Sequence, residues 1–422
     1  MNKDRLLSLD VFRGFTILLM TLVNNPGSWA NVYPQLLHAE WNGCTIADLV
    51  FPFFIFILGV AIPFAIPVKT FNADTFSKIL TRSLRIFCLG WFLAFFNKIE
   101  LFGLEGISIL FVRLAITVLV TIVLLGDFNL KLKKYLVFGL FALMIFLTFT
   151  TEIYSTIRIP GVLQRIGIVY FFIAILYLKT NFKTQIIFAV SILFGYWAIM
   201  TLVPVPGIGV ANLERGTNFA SWLDNILLQN HMYIETKTWD PEGFLSTFPA
   251  IASGIIGMLI GTILNLELTK LEILKKILVY GISITILGLI WNFSFPLNKS
   301  IWSSSYVLFT GGLAILCLSI LYYLIEIANY QKWIKPFLIW GVNPMLVFFF
   351  SGIIPRTFAM IKIDNPSIIG EKINIQNFMY QFWIAPNFSS PFNASVSGSI
   401  IYICIWTFIL WIFYKKQVIL KV

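Results

Sequence analysis

The chain has 422 residues, of which 59% are apolar and only 12% charged, with a mean hydropathy of +0.87. A soluble domain carries roughly 25% charged and 45–50% apolar residues, so these charges are too few to solvate a globular surface. The net charge of +11 is therefore not the signature of a nucleic-acid partner, since such binders gather Lys and Arg on one solvated face. Four Cys and two His exclude a disulfide scaffold and a Cys/His zinc framework, and no metal is expected.

Apolar runs of about 17–25 residues read as membrane-crossing helices. In chain order they fall at 9–25, 47–68, 77–96, 107–126, 135–151, 160–178, 185–203, 243–264, 276–294, 304–326, 336–354 and 397–416. The expected fold is an all-α polytopic membrane bundle of about 12 spans, within a range of 10–12 set by the stretch 100–155. The first run follows Lys3 and Arg5 and ends at Asn24-Asn25-Pro26-Gly27, not at a small-residue cleavage site, so it reads as a retained span.

Cytoplasmic loops carry an excess of Lys and Arg. With both termini placed inside, 20 of the 30 Lys and Arg fall on inner ends and loops, 8 fall outside, and Arg113 and Arg165 lie within spans. Most of the positive charge is thus a topology signal, and the outer face is left mildly acidic. Such a chain belongs in the cytoplasmic (inner) membrane, multi-pass, with the lipid bilayer as its first partner. The segments 204–242 and 355–396 mix aromatics with Pro, Gly and Asn and read as ordered outer caps on one transmembrane domain spanning 1–422.

Ionisable and amide groups in or beside spans are costly and mark function or a pathway. At the inner end of the first span, Asp10 and Arg13 share a helical face three residues apart. At its outer end come Asn24 and then His38-Ala39-Glu40-Trp41-Asn42-Gly43-Cys44-Thr45-Ile46-Ala47-Asp48. A His amid Asn, Asp and Trp at the membrane edge is the best candidate for proton transfer near neutrality. Gln164 and Arg165 lie one turn inside the span that follows Arg158-Ile159-Pro160-Gly161. Asp240 and Glu242 precede the span at 243–264, where simple helix capping is the plain alternative. Ser253, Gly257 and Gly261 read as helix packing. Ser303, Ser304 and Ser305 open the tenth span, and Asn343-Pro344 must break or kink the eleventh. In this topology Asn24, His38, Asn42, Asp48, Gln164, Arg165, Asp240, Glu242 and the serines share the outer level.

These residues resemble one family. Leu9-Asp10-x-Phe12-Arg13-Gly14, Val23-Asn24, His38-Ala39-x-Trp41-Asn42-Gly43-x-Thr45-x-Ala47-Asp48-Leu49-Val50-Phe51-Pro52, Arg158–Arg165, Leu202–Gly207, Asp240-Pro241-Glu242-Gly243 and Trp302-Ser303-x-Ser305-Tyr306 follow the order found in the heparan-alpha-glucosaminide N-acetyltransferase family. The resemblance implies acetyl transfer from cytoplasmic acetyl-CoA, the acetyl donor, to an amino sugar or related saccharide across the membrane. Its active-site His matches His38 and its associated Asn matches Asn24, at a spacing a few residues longer here; the spans at 107–126 and 135–151 look inserted.

On this reading His38 is general base or transient acetyl carrier, Asn24 an oxyanion donor, and Asp48 the group that orients His38 or holds the acceptor's ammonium. Trp41, Asn42, Gln164, Arg165, Asp240, Glu242, Ser304, Ser305 and Asn343 are candidate acceptor contacts. Asp10, Arg13, Arg82 and Arg85 are candidates for the CoA end. Small-residue faces allow a homodimer. The competing class is a proton-coupled secondary transporter of a small polar solute, which interrupted helices and an even span count would also suit.

Overall fold

A computed structural model describes residues 6–368 and 370–420; Lys3, Arg5 and Lys421, which enter the inner-side count, lie outside them. In chain order the helices are α1 (Leu7–Asn24), α2 (Ile46–Ala65), α3 (Ala73–Phe96), α4 (Gly106–Leu125), α5 (Leu130–Thr150), α6 (Val162–Lys179), α7 (Phe182–Leu202), the short α8 (Phe219–Leu227), α9 (Thr247–Leu264), α10 (Lys270–Trp291), α11 (Ser304–Tyr322), α12 (Lys335–Val342), α13 (Pro344–Met360), the single turn α14 (Ile375–Phe378) and α15 (Pro391–Lys415). Among the described residues, eleven of them are long and apolar enough to cross a membrane, and α12 with α13 forms a twelfth bent by 76°. The bend falls at Asn343, where Pro344 has no N–H to give the preceding turn. The expected all-α polytopic bundle and the break at Asn343-Pro344 are both observed, and 107–126 and 135–151 each form a helix.

Burial sorts the spans. In α2 and α9, 72% and 78% of the apolar window is enclosed by protein, against 17% in α5 and α15. The first pair is therefore the centre of the bundle, and the second is its lipid-facing rim. Helices in lipid associate through close packing, which small residues permit. A Cβ on Gly257 would lie 2.1 Å from the Phe56 carbonyl oxygen of α2, so only glycine allows this approach. The Ser253-Gly257-Gly261 stripe is thus a packing face, as read from the sequence. Gly14 does the same for α1 against α12, where a Cβ would meet the Phe337 carbonyl at 1.8 Å.

Four of these helices, α2, α6, α9 and α11, begin at one end of the bundle. Three connecting segments close over that end. Asn42 of the α1–α2 loop accepts from Asn298 of the α10–α11 loop at 3.2 Å, and the Gly43 amide donates to the Leu297 carbonyl at 2.7 Å. The α7–α9 segment joins them where Trp41 Nε1 donates to the Leu213 carbonyl at 3.0 Å. Between α13 and α14, β1 (Lys362–Asp364) pairs antiparallel with β2 (Lys372–Asn374), with Ile363 opposite Ile373.

Candidate active site

Asp48 sits in the first turn of α2, its side chain only 1% exposed. One carboxylate oxygen, Oδ2, accepts from the Thr45 amide at 3.0 Å, the Ala39 amide at 3.0 Å and the Thr45 hydroxyl at 3.1 Å. These bonds make a capping box and curl residues 39–45 back over the helix. The other oxygen, Oδ1, lies 2.8 Å from His38 Nδ1. His38 is half exposed at 51%, so Asp48 anchors a ring whose far edge faces outward. On that edge lies Lys299: its Nζ is 2.9 Å from His38 Nε2, 3.1 Å from Nδ1 and 3.8 Å from Asp48 Oδ1. The Asp48 carboxylate can only accept, so it assigns the ring proton to Nδ1 and leaves Nε2 as the ring's acceptor. Lys299 Nζ, nearly equidistant from the two nitrogens, sits beside the ring rather than on the Nε2 lone-pair axis.

Lys299 was counted in the sequence only as an outer cation. Its position is set by Asn298, which is fully buried and bonded to Asn42 and to the Ile301 amide. Burial pulls the Lys299 pKa down, opposed by the nearby Asp48 and Glu242 carboxylates. Burial also pushes the neighbouring Cys44 thiol up to about 12, which removes it as a thiolate nucleophile.

Beneath the dyad, Tyr306 of α11 donates its hydroxyl to the Asp48 carbonyl at 2.6 Å. Its ring meets Trp302 edge-on at 5.3 Å. Trp302 is wholly buried and holds a left-handed φ of 52°, a strained conformation for a bulky residue that surrounding contacts must enforce. Those contacts include its indole N–H to Ser253 at 3.1 Å and the Arg165 guanidinium over its ring at 5.1 Å. Arg165 is 1% exposed and donates to Ser246 at 2.5 Å and the Gly243 carbonyl at 3.2 Å, while its Nε and Nη1 have no hydrogen-bond partner. With Gln164, Glu242 and Gly243 it lines the polar end of an otherwise apolar cavity of about 490 Å³.

The other candidate acceptor contacts divide. Asp240 and Glu242 are both held by Arg158: its Nε and Nη2 reach Asp240 at 2.8 and 2.5 Å, and Nη2 also bonds Glu242. Asp240 further accepts from the Tyr233 and Glu242 amides. Burial opposes ionisation of Glu242, but Arg158, Arg165 and Lys299 outweigh it and hold the carboxyl below its usual range. These carboxylates build the cap rather than cap α9, and Arg158 is a second residue the sequence named only as part of a motif. Trp41 packs edge-on against Trp239 at 5.2 Å beneath Arg215, and Asn42 remains exposed. Ser304 donates to the Leu193 carbonyl at 2.7 Å and ties α11 to α7, while Ser305 pairs at 3.1 Å with Ser303 at the cap of its own helix; both are fully buried and face no solvent. Gln164 is buried with its amide on the Ile159 carbonyl at 3.1 Å.

Two expected members lie apart. Asn24 ends α1 at the same level, since Val23 packs with Ala47 and Val50, but no hydrogen bond among the described residues joins it to His38. It is exposed and lines a cavity of about 450 Å³ with Trp29, Phe348, Arg356 and Gln376. Asn343 is at the opposite end of the bundle, where its amide donates to the Val418 carbonyl at 2.9 Å and its oxygen accepts the Leu420 amide at 2.8 Å. It seals a helix break with the chain's own C-terminal segment and cannot belong to the His38 cluster.

At that opposite end, Arg13 and Arg82 line a third cavity of about 360 Å³, between α1, α2, α3, α6 and the α12–α13 break. Arg13 pairs with Asp10 at 2.9 Å, as their spacing suggested. Arg82 stacks over Tyr170 at 4.7 Å and its buried Nε has no hydrogen-bond partner. Arg85 turns away, its Nε on the Leu124 carbonyl of α4 at 2.5 Å. Phe348 lines both this cavity and the one beside Asn24.

Residues 5–103 match a family model described as a domain of unknown function, DUF5009. Among curated proteins, the chain is 27% identical over 473 aligned positions to heparan-alpha-glucosaminide N-acetyltransferase of Homo sapiens, covering 99% of this chain and 60% of that protein. It is 26% identical to the enzyme of that name from Mus musculus, covering 100% of this chain and 61% of the other. The chain thus spans about three fifths of the length of the curated relatives it matches. The resemblance carried by the motifs is borne out along nearly the whole chain, which is similar throughout to the heparan-alpha-glucosaminide N-acetyltransferases.

Proposed function

We propose that this protein is a membrane-embedded N-acetyltransferase that accepts acetyl-CoA at the Arg13–Arg82 end and delivers the acetyl group to the amine of an amino sugar or related saccharide at the His38 end. The observation that carries this is the Asp48–His38–Lys299 arrangement: a buried carboxylate orients an imidazole that has a primary amine within 3.1 Å of both its nitrogens.

A general base must reach the proton it removes, within about 2.6–3.2 Å. Lys299 Nζ is already within that distance of His38 Nε2, and an acceptor amine must come equally near along the Nε2 lone-pair axis. Asp48 fixes the tautomer and stabilises the imidazolium once the proton arrives. The N-termini of α2, α6, α9 and α11 point toward this end, and their helix dipoles favour the negative charge that develops on the acyl oxygen. Asn24, exposed at the same level, supplies a further amide donor. The same Nε2 serves as base in direct transfer or as nucleophile of a transient acetyl-His38; a burst of CoA release before any acetylated sugar appears marks the second route.

At the far end, Arg13 and the unpaired Nε of Arg82 suit the phosphates of CoA, and the donor supplies the activated thioester acyl group. Along α1, Arg13 and Asn24 are separated by about 16 Å of helix rise, so the pantetheine arm must pass Phe348, which faces both cavities. The Lys and Arg bias supports an orientation with His38 outside the cytoplasmic membrane.

The transporter alternative is disfavoured by the helix break itself. The break lines the Arg13–Arg82 cavity, but its polar side chain, Asn343, is already held by Val418 and Leu420 and is not offered to a solute. The test is CoA release from purified protein with a panel of amino sugars and cell-wall saccharides, beside His38→Ala. Acetylation that survives His38→Ala at the wild-type rate sinks the assignment; solute uptake without CoA release supports the carrier.

A further inference from the structure

The position that a saccharide amine must occupy is next to an amine belonging to the chain itself. Lys299 is not a loose surface lysine. Its loop is tied down by Asn298 to Asn42 and Ile301, and by the Ser303 hydroxyl to the Asn298 amide and the Pro296 carbonyl. Its side chain is 19% exposed, and its Nζ lies within 3.1 Å of both ring nitrogens of His38. The acceptor chemistry asks for a primary amine, a base at hydrogen-bond distance and a thioester; Lys299 has the first two already.

We propose that Lys299 is a modification site: with donor bound and no saccharide present, the protein acetylates its own Lys299. The inference rests on the acetyltransferase reading above. In the step, the Lys299 ammonium first releases one proton to solvent, and the free Nζ attacks the thioester carbonyl carbon while His38 Nε2 takes the second proton that the nitrogen sheds. A C–N bond forms, the C–S bond breaks, and His38 passes its proton to the departing thiolate, leaving free CoA thiol and a neutral amide. Burial, which pulls the Lys299 pKa down, raises the share of free amine available. The product carries no charge, so Asp48 loses a cation 3.8 Å away, and the acetamide is left beside His38, where the saccharide amine must bind. Saccharide and Lys299 therefore compete for one acyl group, and donor without acceptor turns the enzyme off.

The test incubates the purified full chain with isotopically labelled acetyl-CoA, with and without glucosamine, and maps label by peptide mass spectrometry. The expected result is label on Lys299 in the wild type, at least tenfold lower in His38→Ala, and suppressed by glucosamine. Exposed Lys237 and Lys372 report non-enzymatic acetylation. Preincubation with donor should slow later glucosamine turnover several-fold in the wild type but not in Lys299→Arg, which keeps the cation and cannot form this amide. Glucosamine turnover with no label on Lys299, or label unchanged in His38→Ala, overturns the inference while leaving the acetyltransferase reading in place. Absence of Lys299 label together with no CoA release on any saccharide of the panel overturns the two together. Lys299 label without glucosamine turnover supports the inference and removes glucosamine as acceptor.

Discussion

Replacing Asp48 by Asn separates chemistry from fold, because the two carboxylate oxygens do different jobs. Oδ2 takes the Thr45 and Ala39 amides, and Oδ1 faces His38 Nδ1. An asparagine that keeps its oxygen on the two amides must present its NH2 to His38. The ring then accepts at Nδ1 and carries its proton on Nε2, which is no longer a base. The same loss of tautomer in a serine-protease triad lowers kcat by about 10⁴, and a fall of about 10³–10⁴ is expected here. The stability cost is far smaller: charge-assisted bonds become neutral ones, worth about 1–2 kcal/mol in all. The assay pairs CoA release with glucosamine against thermal unfolding in detergent. A loss of activity under tenfold, or one that merely tracks the folded fraction, would refute the view that Asp48 acts by fixing the imidazole tautomer.

Three further outcomes follow from the same contacts. Arg82→Gln should raise KM for acetyl-CoA about tenfold, the worth of one charge-assisted contact, and leave KM for the amine unchanged; a matching rise in both would place Arg82 outside the donor site. Arg158→Met strands Asp240 and Glu242, whose side chains are 0% and 8% exposed, and should cost about 3 kcal/mol, read as a lower Tm and faster proteolysis in residues 229–246. Asp224 of α8 accepts from the Phe244 and Asp240 amides, and burial raises its pKa to about 7. Because the folded value exceeds the unfolded one, its stabilising contribution is complete below about pH 4 and is lost as pH rises to about 7. The loss is on the order of 4 kcal/mol, so the Tm difference between wild type and Asp224→Asn should change across that window and level off above it.

What the sequence disclosed and what it hid differ by range. Spans follow from composition alone, and Pro344 announces its break because a missing N–H acts locally. Asp10 with Arg13, and Asp48 with His38, lie within ten residues of each other, and their pairing was legible from spacing and chemistry. Lys299 was not, since 261 residues separate it from His38 and nothing in its neighbours distinguishes it from a topology-setting lysine. Arg158 hid for a related reason: the carboxylates that need it are more than eighty residues away. Asn343 misled because a polar residue beside a helix break reads alike whether it binds solute or the chain's own terminus, and only the packed Val418–Leu420 segment decides between them.

The charges around Trp302 set a condition on whatever enters. Arg158, Arg165 and Lys299 face Asp48, Asp240 and Glu242, so the resting cluster is balanced, and Asp224 joins as a neutral acid below about pH 7. An acceptor that arrives as an ammonium brings a fourth cation into a half-buried site where only Asp48 is near enough to His38 to answer it. Coulomb repulsion between two ammonium groups is about 1 kcal/mol at 4 Å even in water and grows as the site dries. The acceptor must therefore enter as the free amine, or Lys299 must leave His38 or lose its charge. The first route makes acceptor binding tighten with pH; the second makes Lys299 the residue whose state decides whether His38 has a substrate to deprotonate. Either way, on the proposed mechanism Lys299, a cation that composition assigns to topology, is the group that controls access to the base.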